Sequence, residues 1–459
     1  MASDKTLLKK IINVKGVVIN NYKFDTTEQG VQMLYIDMRP YVEEADKCPY
    51  CNRKCPRDGK GTEIRRWRDL DWNGLVVEFI CATHYVSCAE HGRVVAGLPW
   101  SFPRSGFTKR FDLTVTWFAK HLTKNLVCDF FRIDYKTVGR CVKRSLDELE
   151  PDIKQRLNGL VNIGVDETSY KKGHKYITVI VNHDTNEVVW IHLNHGDEVF
   201  KQFFEELTEE QRSSIKSISG DGAKWIQRQA AKYVPSATVC VDPFHAVSWA
   251  TKALDEFKNE LWRAASNEAK SIAKEQKDKG IQDDPASKKT LKAAKEKASK
   301  IKGTKYALLK NPENLTARQN LMLEEVEHSD KRLGRAYRLK ESLRLIFHEK
   351  RLADETNAEF TARLELLLKQ WFWKAAHGRI DQFKELAYKV RRNQKGIIDA
   401  IVLGLSNARI EATNNKIKVV IRRSYGFGNP VNMMSLIYLV CSNIEVPLPN
   451  RPMDLLKAS

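Results

Sequence analysis

The chain has 459 residues, 42% of them hydrophobic, which is enough for several domains and at least one large core and excludes a disordered chain. Lysine and arginine total 77 against 58 acids, and the formal charge of +19 favours a polyanionic partner, nucleic acid first, because neutralising phosphates releases counterions. No apolar run reaches membrane-spanning length, and MASDKTLLKKIINVKG lacks the apolar stretch and cleavage site of a secretory signal, so a cytoplasmic protein is expected.

Residues 1 to about 40 contain the alternating segments VVINNYKFD and MLYIDMRP, which predict a small strand-rich cap leading into a cysteine region. Of nine cysteines, Cys48, Cys51, Cys55, Cys81 and Cys88 fall in one short segment, a clustering that in a reducing compartment suggests metal binding over disulfides. Cys48-Pro49-Tyr50-Cys51 is followed, after 36 residues, by Cys88-Ala89-Glu90-His91 with the same spacing. Two such knuckles can present four ligands tetrahedrally, so Cys48, Cys51, Cys88 and His91 are expected to hold a structural zinc. Cys55, Cys81 and His84 are near enough to substitute, and buried free thiols are the alternative.

From Thr108 to Leu149 the spacing turns helical, with one stripe at Val115, Phe118, Ala119 and Leu122 and another at Val138, Cys141 and Val142. Asp134 is placed to cap a helix whose wetter side carries Lys136, Arg140, Lys143 and Arg144, and the pattern resembles a helix-turn-helix. VNIGVDE, YITVIVNH and EVVWIHL, separated by turn-like segments, predict an antiparallel meander; IKSISGD and ATVCVD alternate with helical patterns and predict parallel strands. That is the ribonuclease-H-like layout. From His245 to about Ala400 the sequence is almost wholly helix-forming. The lysine-rich tract Lys270 to Lys310 predicts an exposed helical hairpin or a mobile arm, either contacting DNA or merely solvated.

The expected fold class is multidomain α+β. The division reads as a strand-rich cap and zinc-binding module over 1–105, a helix-turn-helix over 106–155, a ribonuclease-H-like α/β catalytic core over 156–255, a long helical insertion over 256–398, and the end of the core with a C-terminal tail over 399–459.

In such a core the first strand and the neighbouring fourth each deliver a carboxylate to one site, here Asp166 and Asp221, at the polar ends of apolar strands. Hard divalent cations require oxygen ligands, and two magnesium ions on such a site serve an in-line displacement at phosphorus. The expected third carboxylate is Glu411, on a helix where Glu411, Asn415, Lys418 and Arg422 share a polar face opposite Ile410, Thr413, Ile417, Val420 and Ile421. Glu167 points to the other sheet face and reads as supporting. Asp242 and His245 read as bracing the site by hydrogen bonds, and Trp225 as a core residue rather than a platform for an extruded base.

The strings CPYCNRKCPRDGK, CAEHGRVVAGLPW, VNIGVDETSYKKGHKY, SGDGAKWIQRQAAKYVPSATVCVDPFHAV and EATNNKIKVVIRRSYGFGN closely resemble, in this order, bacterial insertion-sequence transposases of the DDE type, ISL-three branch. The resemblance runs from about residue 40 to residue 445. It implies that Asp166, Asp221 and Glu411 are the catalytic carboxylates binding magnesium or manganese. It also implies that Cys48, Cys51, Cys88 and His91 form a zinc module and that the helix-turn-helix recognises terminal inverted repeats. The expected function is metal-dependent strand cleavage and strand transfer on double-stranded DNA, by a homodimer or larger assembly on DNA, in the bacterial cytoplasm at the nucleoid. Lys136, Arg140, Lys143 and Arg144 are expected nearest the element end, with Lys418, Arg422 and Arg423 on phosphates near the cut. The alternative is a catalytically silent, transposase-derived DNA-binding regulator.

Overall fold

The computed structural model describes residues 4–150, 152–405, 408–424 and 427–447, the side chains of 60–62, 326, 329 and 408–411 excepted. Helix α1 (Asp4–Ile12) precedes five strands: β1 (Val17–Thr26), β2 (Gln32–Pro40), β3 (Arg57–Arg68), β4 (Val76–Cys88) and β5 (Gly92–Val95). They form one sheet in the order β1-β2-β4-β3, with β5 also on β4. Leu34, Ile36 and Met38 of β2 alternate inward and pack with Val77, Phe79, Trp67 and Trp100, the period of two expected for a half-buried strand. Alternating strands alone were expected before residue 40. The helix arises because Leu8 and Ile12, one turn apart, reach this same core.

Three helices follow: α2 (Lys109–His121), α3 (Lys124–Phe131) and α4 (Tyr135–Leu149). Thr108 caps α2 by accepting from the Phe111 amide, and Asp134 caps α4 by accepting from the amides of Lys136 and Thr137 at 2.8 and 3.0 Å. Val115, Ala119, Val138, Cys141 and Val142 are buried together, as their spacing predicted.

The second sheet contains β6 (Asn162–Lys171), β7 (Lys175–Asn182), β8 (Glu187–Leu193), β9 (Ser217–Gly220) and β10 (Thr238–Val241). Its order is β10-β9-β6-β7-β8; β7 is antiparallel to both β6 and β8, whereas β9 and β10 run parallel to β6. Helices α5 (Asp197–Glu206), α6 (Glu209–Ser214) and α7 (Lys224–Tyr233) fall between β8 and β10. Ile163 and Val165 of β6 pack with Phe200, Phe203, Phe204 and Ile226 on one face. Ile177, Val179 and Val181 of β7 join the core of α2 to α4 on the other.

A helical region then runs through α8 (Pro243–Asp278), α9 (Pro285–Gly303), α10 (Lys305–Leu309), α11 (Ala317–Ser329), α12 (Lys331–Phe347), α13 (Asn357–Ala376), α14 (Asp381–Arg392) and α15 (Gln394–Val402) around its own core. The Lys270 to Lys310 tract is a helical hairpin. Ala265 of α8 and Ala298 and Ile301 of α9 lie in that core, Gln276 donates to the Ser287 carbonyl at 2.8 Å, and Lys297 pairs with Glu268 at 3.0 Å. Small residues along the seam allow close approach, and the lysines stay outside. The helical region closes on the sheet edge at β10, where a Cβ on Gly396 of α15 would lie 2.7 Å from the Val239 carbonyl oxygen.

Helices α16 (Ala408–Arg423) and α17 (Pro430–Cys441) return to the second sheet, and the Ile191 amide of β8 donates to Tyr438 Oη at 2.8 Å. No helix among the described residues is long and apolar enough to cross a membrane.

Candidate active site and metal centre

The two cysteine knuckles meet. Cys48 Sγ lies 3.7 Å from His91 Nδ1, Cys51 Sγ 3.7 Å from Cys88 Sγ, and Cys88 Sγ 3.7 Å from His91 Nδ1, with all four ligand atoms within 4.8 Å of one another. Metal bonds of about 2.1–2.3 Å in a tetrahedron place thiolate and imidazole ligands roughly 3.6–3.8 Å apart, so the set fits a zinc-sized ion. The geometry comes from two tight turns. Asn52, at φ 58°, closes the first, and Gly92, at φ 66°, closes the hairpin that pairs Cys88 with Gly92. The His91 amide, the His91 ring and the Glu90 amide push the Cys88 thiol down to about 6, toward the thiolate a metal requires. Of the possible substitutes, Cys55 packs beside the cluster and its Sγ donates to the Arg53 carbonyl, Cys81 is buried in the sheet core with its thiol pushed up to about 11, and His84 contacts Asp46 at 2.6 Å.

A second site sits on β6. Because Ile163 and Val165 face α5 and α7, alternation turns Asp166 to the opposite face, where α16 lies. There Asn414 of α16 donates from Nδ2 to Asp166 Oδ2 at 2.5 Å. Asp221 follows β9, the parallel neighbour of β6, in a turn closed by Gly222 at φ +82° and by the Ala223 amide donating to Asp221 Oδ1 at 2.9 Å. Burial pushes the Asp166 carboxyl above its ordinary range and the Asp221 charge adds to this, against the Glu167 amide, His245 and Asn414. Glu167 is also raised, by burial first, with His195 opposing and Asp221 and Asp166 adding; its Oε2 lies 3.5 Å from His195 Nδ1.

Among the described residues Glu167 Oε1 and Asn414 Oδ1 are buried without a hydrogen-bond partner, so neutral and anionic oxygens near Asp166 and Asp221 are left to be satisfied. An all-oxygen set with unsatisfied atoms fits a hard divalent cation such as magnesium or manganese.

Glu411 lies on α16, one turn before Asn414 and on the same side of the helix, but its side chain is outside the described residues. Asn415, Lys418 and Arg422 are exposed, whereas Thr413, Asn414, Ile417 and Val420 are buried. The amide that meets Asp166 is therefore Asn414, not the expected Asn415. Sequence carried a signal for it: Asn414 interrupts the apolar run Ile410, Ile417, Ile421, and a polar residue inside a buried stripe requires a partner.

Of the cations expected on DNA, Lys136 and Arg140 are exposed on α4, and Lys143 is exposed while pairing with Asp147 at 2.7 Å. Arg144 departs from the expectation of a wet position. It donates twice to Asp112, at 2.9 and 2.7 Å, and Asp112 has no exposed surface. The Arg423 guanidinium donates to the His121 carbonyl at the end of α2. Trp225 packs edge-on against Phe200 at 5.4 Å, as a core residue does. Asp242 is buried and caps α8 by accepting from the Phe244 amide at 3.0 Å.

A family model described as transposase, of the DDE type and ISL-three branch, matches residues 163–437. The transposase for insertion sequence element IS1557 of Mycobacterium tuberculosis is similar at 36% identity over 447 residues, 97% of each chain. The transposase for insertion sequence element IS1001 of Bordetella parapertussis is similar at 24% over 428 residues, 92% of this chain and 95% of that one.

Proposed function

Since the chain belongs to the ISL-three DDE transposases of insertion sequences, we propose that Asp166, Asp221 and Glu411 form the site at which it cuts element ends and joins them to new DNA. The observation that carries this reading is the bond from Asn414 to Asp166. It draws onto β6 the helix that bears Glu411 one turn earlier, although nearly 250 residues separate the two in sequence. The sheet supports the reading too, because three antiparallel strands continued by two parallel ones on the β6 side are the order a ribonuclease-H-like core has.

Magnesium or manganese held by Asp166, Asp221 and Glu411 would supply the positive charge that an in-line displacement at phosphorus requires. The chain's own residues prepare that site. Asn414 and His245 hold the half-buried Asp166 ionisable, and Gly222 lets the Asp221 turn lie against Val241 and Trp249. Water and later the freed 3′-hydroxyl attack, so no covalent protein intermediate is needed. Lys418 and Arg422, exposed on α16, hold neighbouring phosphates.

Zinc on Cys48, Cys51, Cys88 and His91 holds the N-terminal knuckles together. The three helices α2 to α4 act as a helix-turn-helix that places Lys136 and Arg140 on the terminal repeat. Two ends must be processed together, so at least a dimer assembles on DNA, in the bacterial cytoplasm at the nucleoid.

The test is cleavage and strand transfer on a duplex carrying the element end, with magnesium, for the parent and Asp166→Ala, Asp221→Ala and Glu411→Ala. Joined products from the parent, lost in each variant while end binding persists, are expected. Undiminished joining by any of the three variants removes that residue from the site.

A further inference from the structure

We propose that the groove between α8 and α14 is a binding site for the DNA backbone, in which Lys389 and Arg392 hold phosphates of the strand entering the carboxylate site. The inference rests on the reading above and extends it to the helical region, which lies between the sequence motifs that point to the carboxylates.

The groove encloses about 480 Å³ and is lined by Trp249, Lys252, Glu256, Tyr388, Lys389 and Arg392, among others. It adjoins the Asp221 turn. A Cβ on Gly222, the residue after Asp221, would stand 3.3 Å from the ring of Trp249, and Lys389 Nζ lies over that same ring, 3.9 Å from its centroid. Trp249 is thus a wall shared by the Asp221 turn and the groove.

The charges there are unbalanced. Burial lowers the Lys389 pKa, and the positive charges of Lys252 and Arg392 lower it further, with Asp221 the carboxylate that opposes them. Among the described residues neither Lys389 nor Arg392 has a carboxylate within 4.0 Å, and Lys252 reaches Glu256 only at 3.9 Å. Elsewhere in the helical region the buried cations are matched, as Lys258 is by Asp255 and Lys340 by Glu341, both at 2.7 Å. Lys252, Lys389 and Arg392 outnumber the two acids that line the groove, Glu256 and Glu385, so the cations crowded beside the aromatic wall gain from a further anion. A phosphodiester is that anion, and Tyr388, 73% exposed at the rim, and Trp249 add surfaces for sugars or bases. Metal on the carboxylates and phosphate in the groove would then flank the scissile bond.

Duplexes of the element end, each carrying one neutral methylphosphonate near the cut, distinguish this site from general basic attraction. Binding is measured with full-length parent and with Lys389→Met/Arg392→Gln, without divalent metal, so the result does not depend on catalysis. At one or two positions beside the cut the parent is expected to lose about 5- to 10-fold in affinity, while the double variant loses nothing further. Its salt dependence should also fall by about one to two phosphate equivalents. Lys389→Arg should retain the parent's position-specific loss, which a packing role for the lysine stem would not predict. Equal losses for parent and double variant at every position, with unchanged salt dependence, overturn the proposal. Absence of cleavage by the parent while the positional effect persists counts against the catalytic reading instead.

Discussion

Asn414 and Asp166, 248 positions apart in sequence, share a hydrogen bond of 2.5 Å between α16 and the first strand of the second sheet. The bond sets where α16 lies on the sheet and orients one carboxylate of the proposed site.

Asn414→Ala should leave binding to the element end intact and raise the magnesium needed for half-maximal cleavage by about 10- to 100-fold, the usual cost of losing a group that orients a ligand. A magnesium titration of cleavage checks it. An unchanged midpoint would show that Asp166 needs no such support.

Asp166→Asn should raise the melting temperature of the metal-free protein at neutral pH. The Asp166 carboxyl is raised in the folded state, so its contribution is fully favourable below the unfolded pKa and is lost as pH rises through the folded one. At pH 7 the ionised group is therefore a cost, and the amide removes it, worth on the order of 2 °C. Added magnesium should stabilise the parent and not the variant. Scanning calorimetry with and without the ion measures both.

Cys88→Ser should abolish bound zinc, and Cys55→Ser should leave one equivalent in place, since Cys88 lies in the four-ligand cluster and Cys55 beside it. Elemental analysis of the purified variants decides between these ligand sets. Retention of metal by Cys88→Ser would reassign the centre.

Arg144→Met should destabilise the α2 to α4 core by roughly 3–5 kcal/mol, because it strands a fully buried Asp112 carboxylate. Adding Asp112→Asn should recover most of that loss. If Arg144 mainly contacted DNA, the single variant would melt like the parent and lose only affinity; urea unfolding and end binding together separate the outcomes.

Glu355 gives the helical region an acid-sensitive tie. Two bonds from Arg363, at 2.8 and 2.9 Å, and one from the Leu352 amide hold its carboxyl near 2. A depressed carboxyl stabilises fully above its unfolded pKa and loses that contribution as pH falls toward 2. Parent and Glu355→Gln melting temperatures should be furthest apart near pH 7 and converge between pH 4.5 and 2. A constant gap across that range would mean that the pair contributes through packing.

Local information in the sequence was enough for most elements. YITVIVNH became β7 and EVVWIHL became β8, Asp134 capped α4, and the paired knuckles brought Cys48, Cys51, Cys88 and His91 together. Each depends on neighbours a few residues away, through strand alternation, a capping carboxylate or a tight turn, so spacing alone encodes it. The relation of Asp166 to Asp221 was legible for a similar reason, since apolar strands with polar ends show where a sheet delivers its carboxylates. Tertiary structure decided the partners. Arg144 turned inward because α2 offered the buried Asp112, and Asn414 displaced Asn415 because α16 laid its apolar stripe on the sheet with that amide in the middle. Lys389 came within reach of the Asp221 charge because the long helical region folds back at β10. Such contacts join residues tens to hundreds of positions apart. Helical periodicity shows that a face is buried, but what it is buried against depends on how distant segments pack, a choice made by the whole core at once.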